Sequence, residues 1–502
     1  MQTSTKPTSG KHRSRRPWMA HLIWMSLAAS VAAADDATVR PAQTTYGLTQ
    51  LSAETIIFLD INSSGQVAFT EYIDGVRRAK FYDGRTVRDL GTLGGPNATA
   101  VALNDWGQVT GSADVDAAGT LSHAYRWSRQ TGMVDLSGRG RGASSGNDIN
   151  NRGQVTGGAV FGRAANTYQH AFLWSPQTGM VDIGTVDWSA HGDVINDAGT
   201  VAGTTGGNSV NAFRWTRRDG MRVITAMGNE FDIATDINAA GHIVGGTGIT
   251  TSLPPHAYLW TPREGLIDLG AGIPDRTQAD KVNDTDMVIL NVRNFTDTSH
   301  GYIWTRDRGL TEIGAGAPSI GTGVADLNNR GQVVGRYADY AFVWTRAQGV
   351  VDLNTRLRGV PDGIKLTWAG AISENGIIAA GSNTGLVLLD PAVRSGNQPP
   401  IAAQIVATGQ AGVNALLTFA ADFRDPDLRD THRATWTWGD GSTDRATVSE
   451  RRGSGSVSGQ HAFRSAGSHT VRLTVTDSSG RSTTVKRTLT VEGTGSAAPA
   501  YR

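Results

Sequence analysis

The chain has 502 residues, 63 of them glycine, no cysteine, and 46 basic against 45 acidic side chains for a formal charge of +1. That near-balance excludes the concentrated positive face which nucleic-acid binding needs, and the absence of cysteine excludes disulfide stapling and thiol nucleophiles. Abundant glycine with few charges fits a turn-rich, all-β protein.

The first 34 residues read as an export signal. Lys11, Arg13, Arg15 and Arg16 form a basic flank, residues 18–33 are an apolar stretch interrupted by His21, Ser26 and Ser30, and Ala32, Ala33 and Ala34 offer small residues for cleavage before Asp35. The apolar stretch is too short for a stable membrane span. Residues 14–19 also match a twin-arginine signal, so both general and twin-arginine export stay open. Removal of 1–34 takes five basic and no acidic residues, leaving 41 basic against 45 acidic. The mature chain is then weakly acidic, without a transmembrane segment, and is expected in the periplasm, on the cell surface or outside the cell.

From residue 46 to 391 the chain repeats itself. An I-N-x-x-G-Q-V marker places its Asn, or the equivalent, at Asn62, Asn104, Asn150, Asn196, Asn238, Asn283, Asn328 and Ser373, in steps of 42 to 46 residues. Four short strands fit such a period, so the reading is an eight-bladed β-propeller of roughly 45-residue repeats, with seven blades as the alternative. In each unit a small-residue strand ends at I-N. The Asn and the Gly three residues on suit a tight turn, which makes the Asn structural. A second strand, G-Q-V-V-G, follows. The third, H-A-F-L-W in residues 170–174, alternates His170, Phe172 and Trp174 on one face with Ala171 and Leu173 on the other. Its Trp recurs at Trp127, Trp174, Trp215, Trp260, Trp304 and Trp344 and is assigned to packing between blades. The recurring His123, His170, His256 and His300 fall one to a blade, too dispersed for a zinc site. A fourth strand, G-M-V-D-L-G, carries an acidic residue eight after the Trp, except that Val223 takes this slot in one unit. The last unit lacks a fourth strand, and residues 46–51 (YGLTQL) have the pattern to supply it, which would close the ring and leave no open sheet edge.

The I-N turns and the W-x-x-x-x-G hairpins fall at one end of every blade and are tight, whereas the loops at the other end vary. Function concentrates on variable loops over a rigid scaffold, so the candidate binding residues are the loop aromatics Phe161, Tyr168, Trp188, Phe231, Tyr337 and Trp368. Loop carboxylates Asp114, Asp116, Asp187, Asp232 and Asp275 keep a glycosidase-like pair open. No nucleophile elbow, zinc helix or phosphate loop is present, and no catalytic residue is assigned.

Taken together, the H-A-F-x-W, G-x-x-D-L-G and I-N-x-x-G-Q-V motifs resemble the HAF-type extracellular repeats of bacterial exported proteins. The resemblance implies an exported, propeller-like protein and no particular reaction. Residues 392–400 break the period and read as a linker. In residues 398–493, Trp436-Thr437-Trp438-Gly439-Asp440-Gly441, then His461-Ala462-Phe463, then residues 470–477 (TVRLTVTD) resemble a polycystic-kidney-disease-type (PKD) domain, an immunoglobulin-like β-sandwich that spaces or binds in secreted proteins. Asp425, Asp427 and Asp440 supply oxygens suited to calcium. Residues 494–502 read as a flexible tail. The functional expectation is an exported, non-catalytic binding or adhesion protein for carbohydrate or an extracellular protein. Its alternatives are a secreted carbohydrate-active hydrolase or lyase and a structural surface component.

Overall fold

The computed structural model describes residues 44–493 apart from 139–141, 162–167, 208, 225–231, 248–254, 272, 274, 294–298, 315–320, 392–398, 426, 428–429 and 452. The export signal at 1–34, the tail at 494–502, most of the linker and Phe231 lie outside the described residues. Among the described residues the fold is all-β, and its single helical element is a 3-10 turn, Leu353–Arg356.

The repeat units fold as four-stranded antiparallel sheets, eight in number among the described residues. We number them in chain order: sheet 1 (residues 55–89), sheet 2 (98–135), sheet 3 (144–184), sheet 4 (189–223), sheet 5 (233–268), sheet 6 (276–312), sheet 7 (322–352) and sheet 8 (366–390). Sheet 8 supplies only three strands of its own, and Gly47–Ser52 pairs antiparallel with Gly385–Asp390 to complete it. The first strands of consecutive sheets touch, and that of sheet 8, Leu366–Ile372, also touches that of sheet 1, Thr55–Ile61.

Strand alternation explains how one sheet meets two neighbours. In sheet 3, Phe172 and Trp174 pack with Ala102, Ala124 and Leu136 of sheet 2, whereas Ala171 and Leu173 pack with Ala190, Val201 and Phe213 of sheet 4. The Phe of the motif is the deeper anchor: Phe172, Phe213 and Phe342 are fully buried, as is Tyr258 in the same slot. The Trp is shallower than a core residue should be. Trp127 is buried, but Trp174, Trp215, Trp260, Trp304 and Trp344 are only half buried, at the edge of their clusters. Arg126 covers Trp174 and Arg214 covers Trp260, with guanidinium carbons 5.4 and 5.8 Å from the ring centres, so cation–π contact replaces part of the burial.

A β-bulge gives the glycine after Q-V-x its reason. In seven sheets the register slips at the residue three before the marker Asn or Ser, as at Asn147 and Asp193. The slip drives the first-strand backbone against the second strand. A Cβ on Gly157 would sit 1.8 Å from the Ser145 carbonyl oxygen and 3.0 Å from the Phe172 ring. Only glycine admits both neighbours. Sheets 6 and 8 solve the space differently: buried Leu290 takes this slot with the facing Tyr302 only half buried, and buried Ala380 faces Val387 in place of an aromatic.

The marker Asn does more than turn the chain. Asn196 Oδ1 accepts from the Ala198 and Thr200 amides, and its Nδ2 donates to the Asn238 carbonyl of the next sheet at 3.0 Å. The same cross-sheet bond runs from Asn62, Asn104, Asn150, Asn238, Asn283 and Asn328, the last to Ser373.

Residues 401–491 form a two-sheet sandwich. Its core stacks Trp436 on Trp438 at 5.3 Å, against Phe419 and Phe463. The sandwich touches the repeat sheets through Glu54, which pairs with Arg472 and, at 2.7 Å, with Lys486.

Candidate functional site

Within each sheet the second-to-third and fourth-to-next connections share one end. Of the aromatics expected there, Tyr168 and Trp188 come together. They precede the third strand of sheet 3 and the first strand of sheet 4, and their rings stack at 6.0 Å with 28° between planes. Tyr168 is 53% and Trp188 52% exposed. The Trp188 turn is held by Thr185, whose hydroxyl accepts from the Asp187 amide and donates to the Asp187 carbonyl. Phe161 contacts the His170 ring at 6.1 Å and joins the core of sheets 2 and 3. Tyr337 stacks on Tyr340 at 5.4 Å. Trp368 lies within the first strand of sheet 8, where its ring lies over Gly370 and Gly381. Thus Phe161, Tyr337 and Trp368 are engaged with neighbouring side chains or backbone and do not join the open pair.

Beside the pair, across sheets 1 to 3, lies a cleft of about 420 Å³ lined by Phe58, Arg77, Asn97, Asp114, Asn147 and Gln169 among others. Gln169 follows Tyr168 directly. Asp114 is buried and already accepts from the Asn97 amide, Asn97 Nδ2 and the Ser122 hydroxyl. Asp116 is likewise taken by Thr120. Neither carboxylate is poised for acid–base work. Phe58, 43% exposed, and Arg77 belong to the degenerate first unit, where no repeat signal marked them.

The repeated His has a local partner. His123, His170, His256 and His300 bond through Nδ1 to Asp135, Asp182, Asp268 and Glu312 of their own sheets at 2.9–3.0 Å. The sequence signal was available: in sheet 4 both slots are lost together, to Asn211 and Val223.

Sequence reasoning missed a set of first-strand carboxylates. Asp60, Asp148, Asp236 and Asp326 stand two residues before the marker Asn in sheets 1, 3, 5 and 7, and each carboxylate accepts the next residue's amide and an amide of the following sheet. Lys281, in the same slot of sheet 6, lies 4.0 Å from Asp236. Loss of hydration pushes Asp148 and Asp326 up to about 7, against the opposing pull of backbone amides and Lys281. Between the ordinary carboxylate range and about 7 the folded chain therefore holds protons that the unfolded chain releases. Stability from these groups is full below about pH 4 and is lost as the pH rises through 7. The melting temperature is expected to fall between about pH 5 and about pH 8, and to fall less in Asp148→Asn. Equal slopes in parent and variant across that window would contradict this origin. At the tight-turn end lies a cavity of about 480 Å³ lined by six of the marker asparagines and Ser373, with Asp105, Asp197, Asp284 and Glu374.

Comparison with known proteins assigns one part of the chain. Residues 397–492 match the family described as PKD domain. Residues 397–492 are a PKD domain. The PKD1 domain of Vibrio anguillarum Epp is 26% identical, with 99% of that chain and 20% of this one covered and a TM-score of 0.16. TolB from Acinetobacter baumannii is 12% identical over 50% of this chain, with a TM-score of 0.31, and the chain spans 64% of TolB, less than two thirds of its length. The extracellular domain of the putative hybrid two-component system BT3049 from B. thetaiotaomicron is 8% identical, covering 87% of this chain and 72% of that one, with a TM-score of 0.22. No curated protein matches the chain. Among the described residues no helix is long and apolar enough to cross a membrane.

In the PKD domain the structure groups one of the expected calcium carboxylates, Asp425, with two others. Asp425 groups with Asp430 and Asp477, one oxygen of each lying within 4.8 Å of the others, and not with Asp427 or Asp440. Asp440 instead accepts from Ser442 and pairs with His461 Nε2 at 2.7 Å; these bonds outweigh partial burial and bring its carboxyl down to about 2. In the trio, both oxygens of Asp425, one of Asp430 and one of Asp477 already meet protein partners, His432 among them. Calcium takes six to eight oxygens, more than the three carboxylate oxygens grouped here among the described residues.

Proposed function

We propose that residues 46–391 form an eight-bladed β-propeller of the HAF type and that the chain is an exported, non-catalytic binding protein. The propeller presents its variable-loop face to carbohydrate or an extracellular protein, and the PKD domain serves as spacer or second contact. The propeller reading is supported by the eight four-stranded sheets, the order in which their first strands adjoin, and the completion of sheet 8 by Gly47–Ser52. Export is supported by the leader-like residues 1–34 and by the PKD domain. The observation that carries binding is the half-exposed Tyr168–Trp188 stack beside a cleft at the loop end. Exposed aromatic surface with polar groups around it is the usual chemistry of a recognition patch.

The test applies the labelled, purified chain to whole bacterial cells and extracellular polymer fractions, beside a Tyr168→Ala/Trp188→Ala variant. Capture by the parent and its loss in the double variant are expected. Undiminished capture by the variant, or cleavage of the captured material, would remove this reading.

A further inference from the structure

Resting on that reading, the geometry points to an uncharged oligosaccharide as the ligand: one pyranose ring stacks on Tyr168 and Trp188, and the rest of the glycan runs into the neighbouring cleft. Three observations separate this ligand from a protein segment or a charged polymer.

The first is shape. Two large flat side chains from different sheets meet in a stack that leaves about half of each uncovered. The weakly polar C–H face of a sugar ring covers such a surface and is repaid as buried apolar area, at roughly 25 cal/mol per Å². The Thr185 hydrogen bonds fix the turn carrying Trp188, so little ordering remains to be done on binding.

The second is the polar surround. Arg77, Asn147 and Gln169 line the cleft. Amides and a guanidinium suit hydroxyl groups, which both donate and accept. The cleft volume of about 420 Å³ lies in the ~300–1,000 Å³ range of small-molecule sites, and Phe58 adds a second apolar wall.

The third is charge. Arg77 and Asp114 both line the cleft. An anionic glycan would meet the Asp114 carboxylate, while a cationic ligand would meet Arg77. A neutral chain avoids both costs.

The experiment is titration calorimetry of the full chain with neutral oligosaccharides from cellulose, xylan, mannan and starch, and with acidic ones from alginate and pectate, at low and high salt. At least one neutral series is expected to bind, with little change on adding salt. Trp188→Ala and Tyr168→Ala should each weaken it about tenfold. Trp106→Ala, which removes a 75% exposed ring at the tight-turn end, should leave it unchanged. All three rings are exposed, and thermal melts would verify that the variants stay folded. The inference is overturned if no oligosaccharide binds, if acidic ones bind better than neutral ones, or if Trp188→Ala and Tyr168→Ala bind like the parent. Absence of glycan binding alongside loop-dependent capture of a protein ligand would sink the sugar assignment and leave the binding-face reading standing. Glycan binding abolished by Trp106→Ala and untouched at Trp188 would sink both.

Discussion

Deletion of residues 44–53 is expected to leave a chain that aggregates and loses its cooperative thermal transition. This segment brings Tyr46, Leu48 and Leu51 into the interior and pairs Leu48, Thr49 and Gln50 with Leu389, Leu388 and Val387. The Tyr46 amide and carbonyl also bond the Arg356 carbonyl and the Arg358 amide. Each of the three large side chains contributes about 1.5–3 kcal/mol on burial, and their sum approaches the ~5–15 kcal/mol that separates folded from unfolded domains. Gly385–Asp390, whose own side chains are almost all buried, would become an unpaired apolar edge of the kind that recruits other chains. Size-exclusion chromatography and a thermal melt measure the effect. A synthetic peptide of residues 44–53, added in excess, should raise the midpoint by mass action. A deleted chain that stays monomeric with the parent's midpoint would show that the strand is dispensable.

How far the fold was legible follows from which signals repeat. The turn Asn, the motif Phe and Trp, and the missing fourth strand of the last unit all recur at fixed spacing, so periodicity located them and residues 46–51 could be matched to their partner. The half-exposure of most motif tryptophans was not legible, because it depends on how far each sheet splays from its neighbour. The bulge was visible only through its consequence, the glycine after Q-V-x. The first-strand carboxylates had a sequence signal, the Asp two before the Asn in alternate units, but its meaning requires knowing that first strands adjoin. At the loop end, side-chain chemistry named six aromatics, and among the described residues Tyr168 and Trp188 form an open pair. Loops have no period, so nothing in the chain ties Phe58 and Arg77 of the first unit to Gln169 of the third. In the PKD domain, Asp430 and Asp477 were missed for the same reason, since 47 residues separate them and a strand pairing brings them near.

Replacing Asn196 by Ala should cost about 2–4 kcal/mol, the largest expected effect of a single turn substitution in this chain. Three hydrogen bonds end on this side chain: the Ala198 and Thr200 amides donate to Oδ1, and Nδ2 donates to the Asn238 carbonyl. The site is 7% exposed, so the abandoned groups regain little water. Sheet 8 carries its own control. Ser373 holds the same slot and accepts from the Ile377 amide through its hydroxyl at 3.0 Å, keeping the turn, while the bridge to the next sheet passes from this slot to Asn375, whose Nδ2 donates to the Ser63 carbonyl of sheet 1. Asn196→Ser should therefore retain the turn bonds and lose the bridge, falling between parent and Ala in a urea titration. Hydrogen exchange separates the two contributions. In the Ser variant, protection should drop at the sheet 4 to sheet 5 boundary while the Thr200 amide stays slow. If Ser and Ala behave alike, the cross-sheet bond carries the whole effect; if Ser matches the parent, the turn alone carries it and the asparagine ladder adds nothing to cohesion between sheets.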